Sequence, residues 1–333
     1  MNEFSQMIID TSQRIFADLC EKSVIDQAEA GEWPAALWQA LEESGLTLAG
    51  IDEQFGGTGG QASDALLVIR EGARAAAPLP LAENYHAASI LAELKQTVPE
   101  GPLTLAQGCF DFENGRLTGS AANVPFASQA KHLVLLDESG GVYCVAADAV
   151  QITPGTSIAG EARDQVQVDV KTSPSGNIDP ESFKLRGAQC RAVMMSGALE
   201  STLQLAVQYA QERSQFGRAI SKFQAIQHQL ATLATEVAAA SRAADMLIAD
   251  QVDPFQIAVA KARIGEAVGV GSEIAHQVHG AIGYTLEHSL NHRTRRLWVW
   301  RDEFGNETEW NRQVGEAVLD LGADQLWPFL ARQ

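Results

Sequence analysis

Apolar residues recur at helical spacing at both ends of the chain and alternate with polar ones in the middle. Phe223, Ile226, Leu230, Leu233, Val237, Ala240, Ala244 and Leu247 follow one another every three or four positions. That spacing predicts one continuous stripe on a long helix. Ala258, Ala262, Gly265, Gly269 and Ser272 repeat it with small residues, which let helix backbones approach closely. With a further helix around Ser196–Arg213, these predict an antiparallel helix bundle. Near the start, Pro34 opens a helix carrying Leu37 and Leu41, and Gly45 ends it. A second helix is expected over Ser63–Ala76, stopped by Pro78 and Pro80.

The period changes in between. Leu133–Leu136 and Val142–Val145 are short β-type runs joined by Glu138-Ser139-Gly140-Gly141, a hairpin pattern. Val166, Val168 and Val170 alternate with polar residues, as in a half-buried strand, and Asn114-Gly115 is a turn signal. The predicted class is mainly α with a central β domain. It comprises an N-terminal helical domain (1–105), a shortened, small antiparallel β domain (106–180) and a C-terminal antiparallel helix bundle (181–333).

Composition narrows the function classes. The 333 residues carry a formal net charge of −18 with an ordinary 46% hydrophobic content. So acidic a chain is a poor partner for nucleic acid or an anionic membrane surface. The N-terminal segment carries early acids and lacks the apolar run of a secretory signal, and no stretch approaches the roughly 18 apolar residues of a membrane span. Cys20, Cys109, Cys144 and Cys190 are far apart and form no metal-binding or redox pair, which fits reduced thiols in a cytoplasmic protein.

Several motifs have simple readings. Phe55-Gly56-Gly57-Thr58-Gly59-Gly60 lies between helices with no lysine after it, so it reads as a tight turn and not a phosphate loop. His288 and His292 are four apart and could share a helix face. Two histidines do not complete a metal site, and Arg293, Arg295 and Arg296 would repel a cation. His276 and His279 are no better as ligands. Two other segments carry more. Glu212-Arg213-Ser214-Gln215-Phe216-Gly217-Arg218 breaks the chain between two long helices, ahead of Phe223-Gln224-Ala225-Ile226-Gln227-His228. An arginine fork, an apolar ring and a glycine at one corner suit a flat anionic ligand, although an ordinary helical hairpin would look the same. Gln277-Val278-His279-Gly280-Ala281-Ile282-Gly283 follows a long helix, with glycines that allow close backbone approach.

Together these two segments resemble the signatures of the acyl-CoA dehydrogenase family, an R-x-Q-F-G corner leading into F-Q-x-I-Q-H and a later Q-x-x-G-G-x-G-x-T-x-E stretch. Ala281 stands where the second of those paired glycines is usual. The likeness spans most of the chain. It implies FAD, with Arg213 on the pyrophosphate, Gln215 and Phe216 beside it and Gln224 adding a polar contact. Gln277, Gly280 and Gly283 would line the adenosine–pyrophosphate end across a subunit interface. The reaction implied is α,β-dehydrogenation of an acyl-CoA thioester. A glutamate takes the α-proton, donors hold the enolate oxygen and the β-hydride leaves to the flavin.

The chain departs from the family twice. Laid on the pattern Arg295-Arg296-Leu297-Trp298-Val299-Trp300-Arg301-Asp302-Glu303-Phe304-Gly305, the base position falls on Phe304. Glu303 is one residue off, a rotation of about 100° on a helix, and reads as a surface or salt-bridged acid. The alternative place for a base, Arg186–Val193, holds no acid, and Glu200 lies too far along. The family's L-T-E-x-x-A-G-S-D loop is replaced by Leu103-Thr104-Leu105-Ala106-Gln107-Gly108-Cys109-Phe110, which turns directly into further strands. Trp298, Trp300 and Phe304 could wall an acyl pocket or simply fill a core.

Three readings follow from the resemblance. The first is a base-less subunit of a heteromeric acyl-CoA dehydrogenase, of the kind found in bacterial steroid side-chain degradation. It would form a heterotetramer with a longer homologue that carries the glutamate, complete its FAD site, and pass electrons to an electron-transfer flavoprotein. The second is a self-sufficient homomeric enzyme using Glu303 or Asp302. The third is a non-catalytic scaffold or acyl-CoA-binding module without FAD.

Overall fold

The computed structural model describes residues 3–249 and 251–331. Five helices lead: α1 (Glu3–Leu19), α2 (Lys22–Glu29), α3 (Ala35–Glu43), α4 (Ala62–Ala75) and α5 (Leu81–Glu93). Gly45, at φ 70°, follows the end of α3 in the left-handed region that glycine enters without strain. The Phe55–Gly60 segment is a turn tied back to Ile51 through a β-bridge at Gly59, as its glycines suggested.

Two four-stranded sheets follow. One runs in the order β1 (Leu103–Gln107), β4 (His132–Leu136), β5 (Gly141–Ala146), β8 (Gly176–Asn177). The other runs β2 (Cys109–Glu113), β3 (Arg116–Pro125), β7 (Arg163–Lys171), β6 (Gln151–Thr153). Phe110, Leu117, Leu133, Tyr143, Val166 and Val168 pack together between them. Asn114 and Gly115 both have positive φ and close the β2–β3 hairpin, the geometry expected of Asn-Gly. One pairing differs from the antiparallel expectation: β1 lies parallel to β4. The chain leaves β1 for the β2–β3 hairpin and returns in the same direction, so β4 cannot run back against β1.

The rest is helical: α6 (Pro180–Glu212), a two-stranded corner of β9 (Ser214–Gln215) and β10 (Arg218–Ala219), α7 (Gln224–Leu247), α8 (Pro254–His279), α9 (Leu290–Asp302), α10 (Glu307–Leu321) and α11 (Leu326–Leu330). The sequence pattern puts the start of the helix before the corner near Ser196. It starts at Pro180 instead, where the Asp179 carboxylate accepts from the Glu181 amide and Pro180 occupies the first turn. Leu233, Val237, Ala240, Ala244 and Leu247 bury the α7 stripe. His288 lies before α9, so it does not share a helix face with His292.

Candidate functional site

The helical and β parts meet at a mainly apolar cavity of about 230 Å³. Its walls come from α5, β1, the end of β3, α6 and the turn after α9. β3 is irregular between Ala121 and Val124, with Asn123 at φ 56°, and this irregularity faces Asn123 and Pro125 onto the cavity. Only Gly108 separates β1 from β2, so the loop missing from the sequence pattern is missing here too.

The turn after α9 decides what the cavity can do. Phe304 and Gly305 both have positive φ, 56° and 94°. A non-glycine residue holds that conformation only when its surroundings impose it. Here the Trp310 Nε1–H donates to the carbonyls of Phe304 and Gly305, each at 3.1 Å. The buried Lys261 ammonium donates to the carbonyls of Arg301 at 2.8 Å and Gly305 at 2.7 Å. Asn306 caps α10 through the amides of Thr308 and Glu309. The reversed chain points the Phe304 ring into the cavity against α6. A Cβ added at Gly187 would lie 2.3 Å from that ring, so glycine there is what lets the phenylalanine in. Phe304 and Gly187 therefore meet from the two segments in which the sequence sought a base.

Glu303 also borders the cavity, but its carboxylate is held by two arginines. One carboxylate oxygen accepts from Arg163 Nε at 2.9 Å and Nη2 at 2.7 Å, and the other accepts from Arg191 Nε at 2.5 Å. Burial by itself would raise its pKa, but the two guanidiniums outweigh burial and hold it below the usual carboxylate range. A carboxylate pinned in this way is a poor proton acceptor, and Asp302 is exposed and does not line the cavity. The ion pairs continue in both directions. Arg191 reaches Glu83 at 2.5 Å, and Arg163 reaches Glu161 at 3.2 Å. Glu161 accepts from Arg296 and from the Trp300 indole, both at 3.2 Å. Arg296, Arg295 and His292 then gather on Glu29, with the fully buried His292 also 3.0 Å from Asp26. Arg295 and Arg296, two of the three arginines expected to repel a cation, are thus paired with acids, and no group of three or more candidate metal ligands occurs among the described residues.

Sequence reading missed His86. It lines the cavity from α5, 4.7 Å from the Phe183 ring, and its Nε2 is buried with no hydrogen-bond partner. Burial and the nearby Arg186 and Arg191 push its pKa well down, so it is a neutral imidazole and a weak base. A single histidine on an apolar helix carries no pattern that could have found it. The cavity offers neither a competent carboxylate nor a ring-sized platform, and its volume falls below the roughly 300–1,000 Å³ of sites for drug-sized ligands. It does not fit a flavin together with an acyl thioester.

The other expected residues lie at one end of the bundle. Arg213 caps α6 with its side chain exposed, Gln215 and Arg218 pair across the β9–β10 turn, and Gln224 is exposed at the start of α7. Phe216 stands out from that turn at φ 52°, 92% exposed. Gln277 and Gly280 are exposed where α8 ends. A Cβ at Gly217 or Gly280 would meet nothing within 4 Å, so both backbones face open space. Tyr209, one turn before Arg213, stacks on His279 at 4.6 Å and joins the two segments. Gly283 differs from the expectation. It is buried, and a Cβ there would lie 2.9 Å from the His279 Cβ, so it serves packing and not a ligand-facing surface. Arg213, Phe216 and the open glycine backbones thus lie together at one exposed end of the bundle.

The same joint predicts acid sensitivity. Burial lowers the His279 pKa from 6.5 to about 4. The unfolded chain therefore binds a proton that the folded chain refuses between those values. Stability should fall as pH drops from 6.5 towards 4 and level off below, by up to about 1.4 kcal/mol per unit. Urea unfolding at pH 7, 6 and 5 should show the slope, and His279→Asn should flatten it; an unchanged slope would mean that other groups carry it.

The family description "Acyl-CoA dehydrogenase, N-terminal domain" matches residues 2–95, and "Acyl-CoA dehydrogenase, C-terminal domain" matches 185–313. The chain is 30% identical over 303 residues to acyl-CoA dehydrogenase IpdE2 of Mycobacterium tuberculosis, covering 87% of this chain and 89% of that one. It is 29% identical over 257 residues to the protein of the same name from Mycolicibacterium smegmatis, covering 76% and 78%. Among solved structures it superposes on a chain of the ChsE4-ChsE5 complex from Mycobacterium tuberculosis with a TM-score of 0.84 at 22% identity, covering 97% and 99%. It superposes on a chain of the Tcur3481-Tcur3483 steroid ACAD G363A variant with a TM-score of 0.83 at 22% identity, covering 96% and 98%.

Proposed function

Because the chain belongs to the acyl-CoA dehydrogenase family, whose members are in general FAD-dependent oxidoreductases acting on CH–CH bonds, we propose that it is the base-less subunit of a heteromeric member. A longer homologue supplies the glutamate base and the substrate pocket, and this chain closes that subunit's FAD site. One observation carries the reading: Phe304 projects into the cavity, and the two carboxylates that line it are both held by arginines, Glu83 by Arg191 and Glu303 by Arg163 and Arg191. Against a homomeric enzyme stands the electrostatic cost of freeing Glu303. Against a scaffold without cofactor stands the exposed Phe216 beside exposed Arg213.

In this reading Arg213 takes pyrophosphate oxygens in its planar fork, Phe216 covers an apolar ring face, and Gln215 and Gln224 add amide contacts. The open backbones at Gly217 and Gly280, with Gln277, hold the adenosine end. FAD held there would supply hydride-accepting chemistry to the partner subunit. This chain supplies binding, orientation and exclusion of water, and moves no proton itself. In this reading the substrate is a bulky acyl-CoA such as one with a steroid side chain, as the neighbour described as a steroid ACAD suggests. An electron-transfer flavoprotein is the acceptor in this scheme.

The test is to purify the chain alone and co-expressed with a longer homologue that carries the glutamate, and to record flavin absorbance and mass. The expected result is a yellow α2β2 complex and a colourless lone chain. A lone chain that is yellow and bleaches with acyl-CoA would restore the homomeric reading, and a colourless complex would restore the scaffold.

A further inference from the structure

A second opening, about 360 Å³ in volume, lies between α1, the end of α4, α6 and the start of α9, and shares no lining residue with the cavity around Phe304. Two arginines meet there without a hydrogen-bonded carboxylate. Arg293 donates through Nε to the Ser201 hydroxyl at 2.9 Å, through Nη1 to the Ser289 carbonyl at 3.0 Å and through Nη2 to the Arg74 carbonyl at 3.4 Å. All three acceptors are neutral. Burial, with Arg296 nearby, lowers the Arg293 pKa to about 10, whereas neighbouring acids hold Arg163 and Arg191 above the usual arginine value. Arg74 is 3.7 Å from Glu71 and 4.0 Å from Glu200, ion-pair contacts too long for hydrogen bonds. Glu71 instead accepts from the Gln13 amide at 3.0 Å, and Glu200 from the Ser241 hydroxyl at 2.9 Å.

A guanidinium buried without a counter-charge is unfavourable, and an oxyanion delivered from solvent offsets that. Two arginine forks together present more N–H donors than one carboxylate can satisfy, and match the three oxygens of a phosphate group. Phe16, Ala17 and Leu205 form an apolar wall of the opening, and Gln13, Glu71 and Gln208 also line it. We propose that this cleft binds a small phosphate-bearing molecule, with Arg74 and Arg293 on the phosphate oxygens and Ser201 and Gln204 beside them. The proposal is independent of the flavin reading, since none of these residues belongs to the Arg213 corner.

Inorganic phosphate is the probe. Thermal unfolding of the full chain, alone and in its co-purified complex, is compared in phosphate and in chloride at equal ionic strength. At about 100 times the dissociation constant, phosphate should raise Tm by roughly 4 °C in both samples. Arg74→Gln should lose most of that shift, and Arg213→Ala should keep it. Arg293→Gln should lose it too, although this residue also binds the last turn of α4 and its variant could fold poorly. The proposal is overturned by the absence of a shift, by an undiminished shift in Arg74→Gln, or by a shift that Arg213→Ala abolishes. It is also overturned by a shift confined to the lone chain, which would mean that partner side chains fill the cleft.

Discussion

Replacing Arg191 by methionine should destabilise the protein by about 3–5 kcal/mol, because it leaves the buried Glu83 carboxylate uncompensated and Glu303 with Arg163 alone at the meeting point of α5, α6 and the β-sheets. Arg191 is 3% exposed and bridges Glu83 and Glu303. Removing one member of a buried ion network costs more than the network contributes in total, since the remaining charges keep their desolvation penalty. Chemical unfolding of the variant should show a lower midpoint with an unchanged slope. Arg163→Met should act in the same direction, and the double variant should cost less than the sum, because both guanidiniums hold the same Glu303 carboxylate. A loss below about 1 kcal/mol would place the bridge with surface pairs and remove the main reason for discounting Glu303 as a base. The pH dependence has a defined sign. The folded pKa of Glu303 lies below its ordinary 4.5. Its stabilisation is therefore complete above pH 4.5 and is lost as pH falls through the folded value.

Arg213→Ala should weaken flavin binding in the co-purified complex by about 10- to 100-fold, the equivalent of about 1.5–3 kcal/mol for hydrogen bonds to a charged group. Its side chain is exposed, and its backbone bonds, Arg213 N–H to the Tyr209 carbonyl and Ile220 N–H to the Arg213 carbonyl, survive the change. Folding should be nearly unaffected, which separates this variant from Arg191→Met. Arg218 is the control. Its guanidinium sits 4.2 Å over the Phe223 ring, a local contact, so Arg218→Ala should leave flavin content near that of the parent. Flavin released on dilution, followed by fluorescence, gives both constants. Equal retention by Arg213→Ala and the parent would remove this corner from the cofactor site.

Arg213 and Arg191 differ in how far the chain alone reveals them. The Arg213 corner occupies a few consecutive residues between two strongly periodic helices, so it is legible in the amino-acid order. So are the Asn114-Gly115 hairpin and the direct passage from β1 into β2. The absence of an acid at position 304 and along 186–193 is equally plain, since a missing side chain needs no fold to be noticed. Gly283 is the exception, because a glycine that clears a ligand and one that clears a neighbouring histidine look alike in one dimension.

The sequence by itself determined the helix stripes, the β segment between them, the turn glycines and the loss of a base at its usual place. Each depends on residues within a turn or two of one another. Only the tertiary structure decided what Glu303 does, because Arg163 and Arg191 stand 140 and 112 positions away from it. It likewise decided that Phe304 meets Gly187, that His86 lines the cavity, and that Arg293 and Arg74 share a cleft. Periodicity is written by local backbone geometry. Charge pairing and cavity walls are set by which distant surfaces packing brings together, and no local pattern records that.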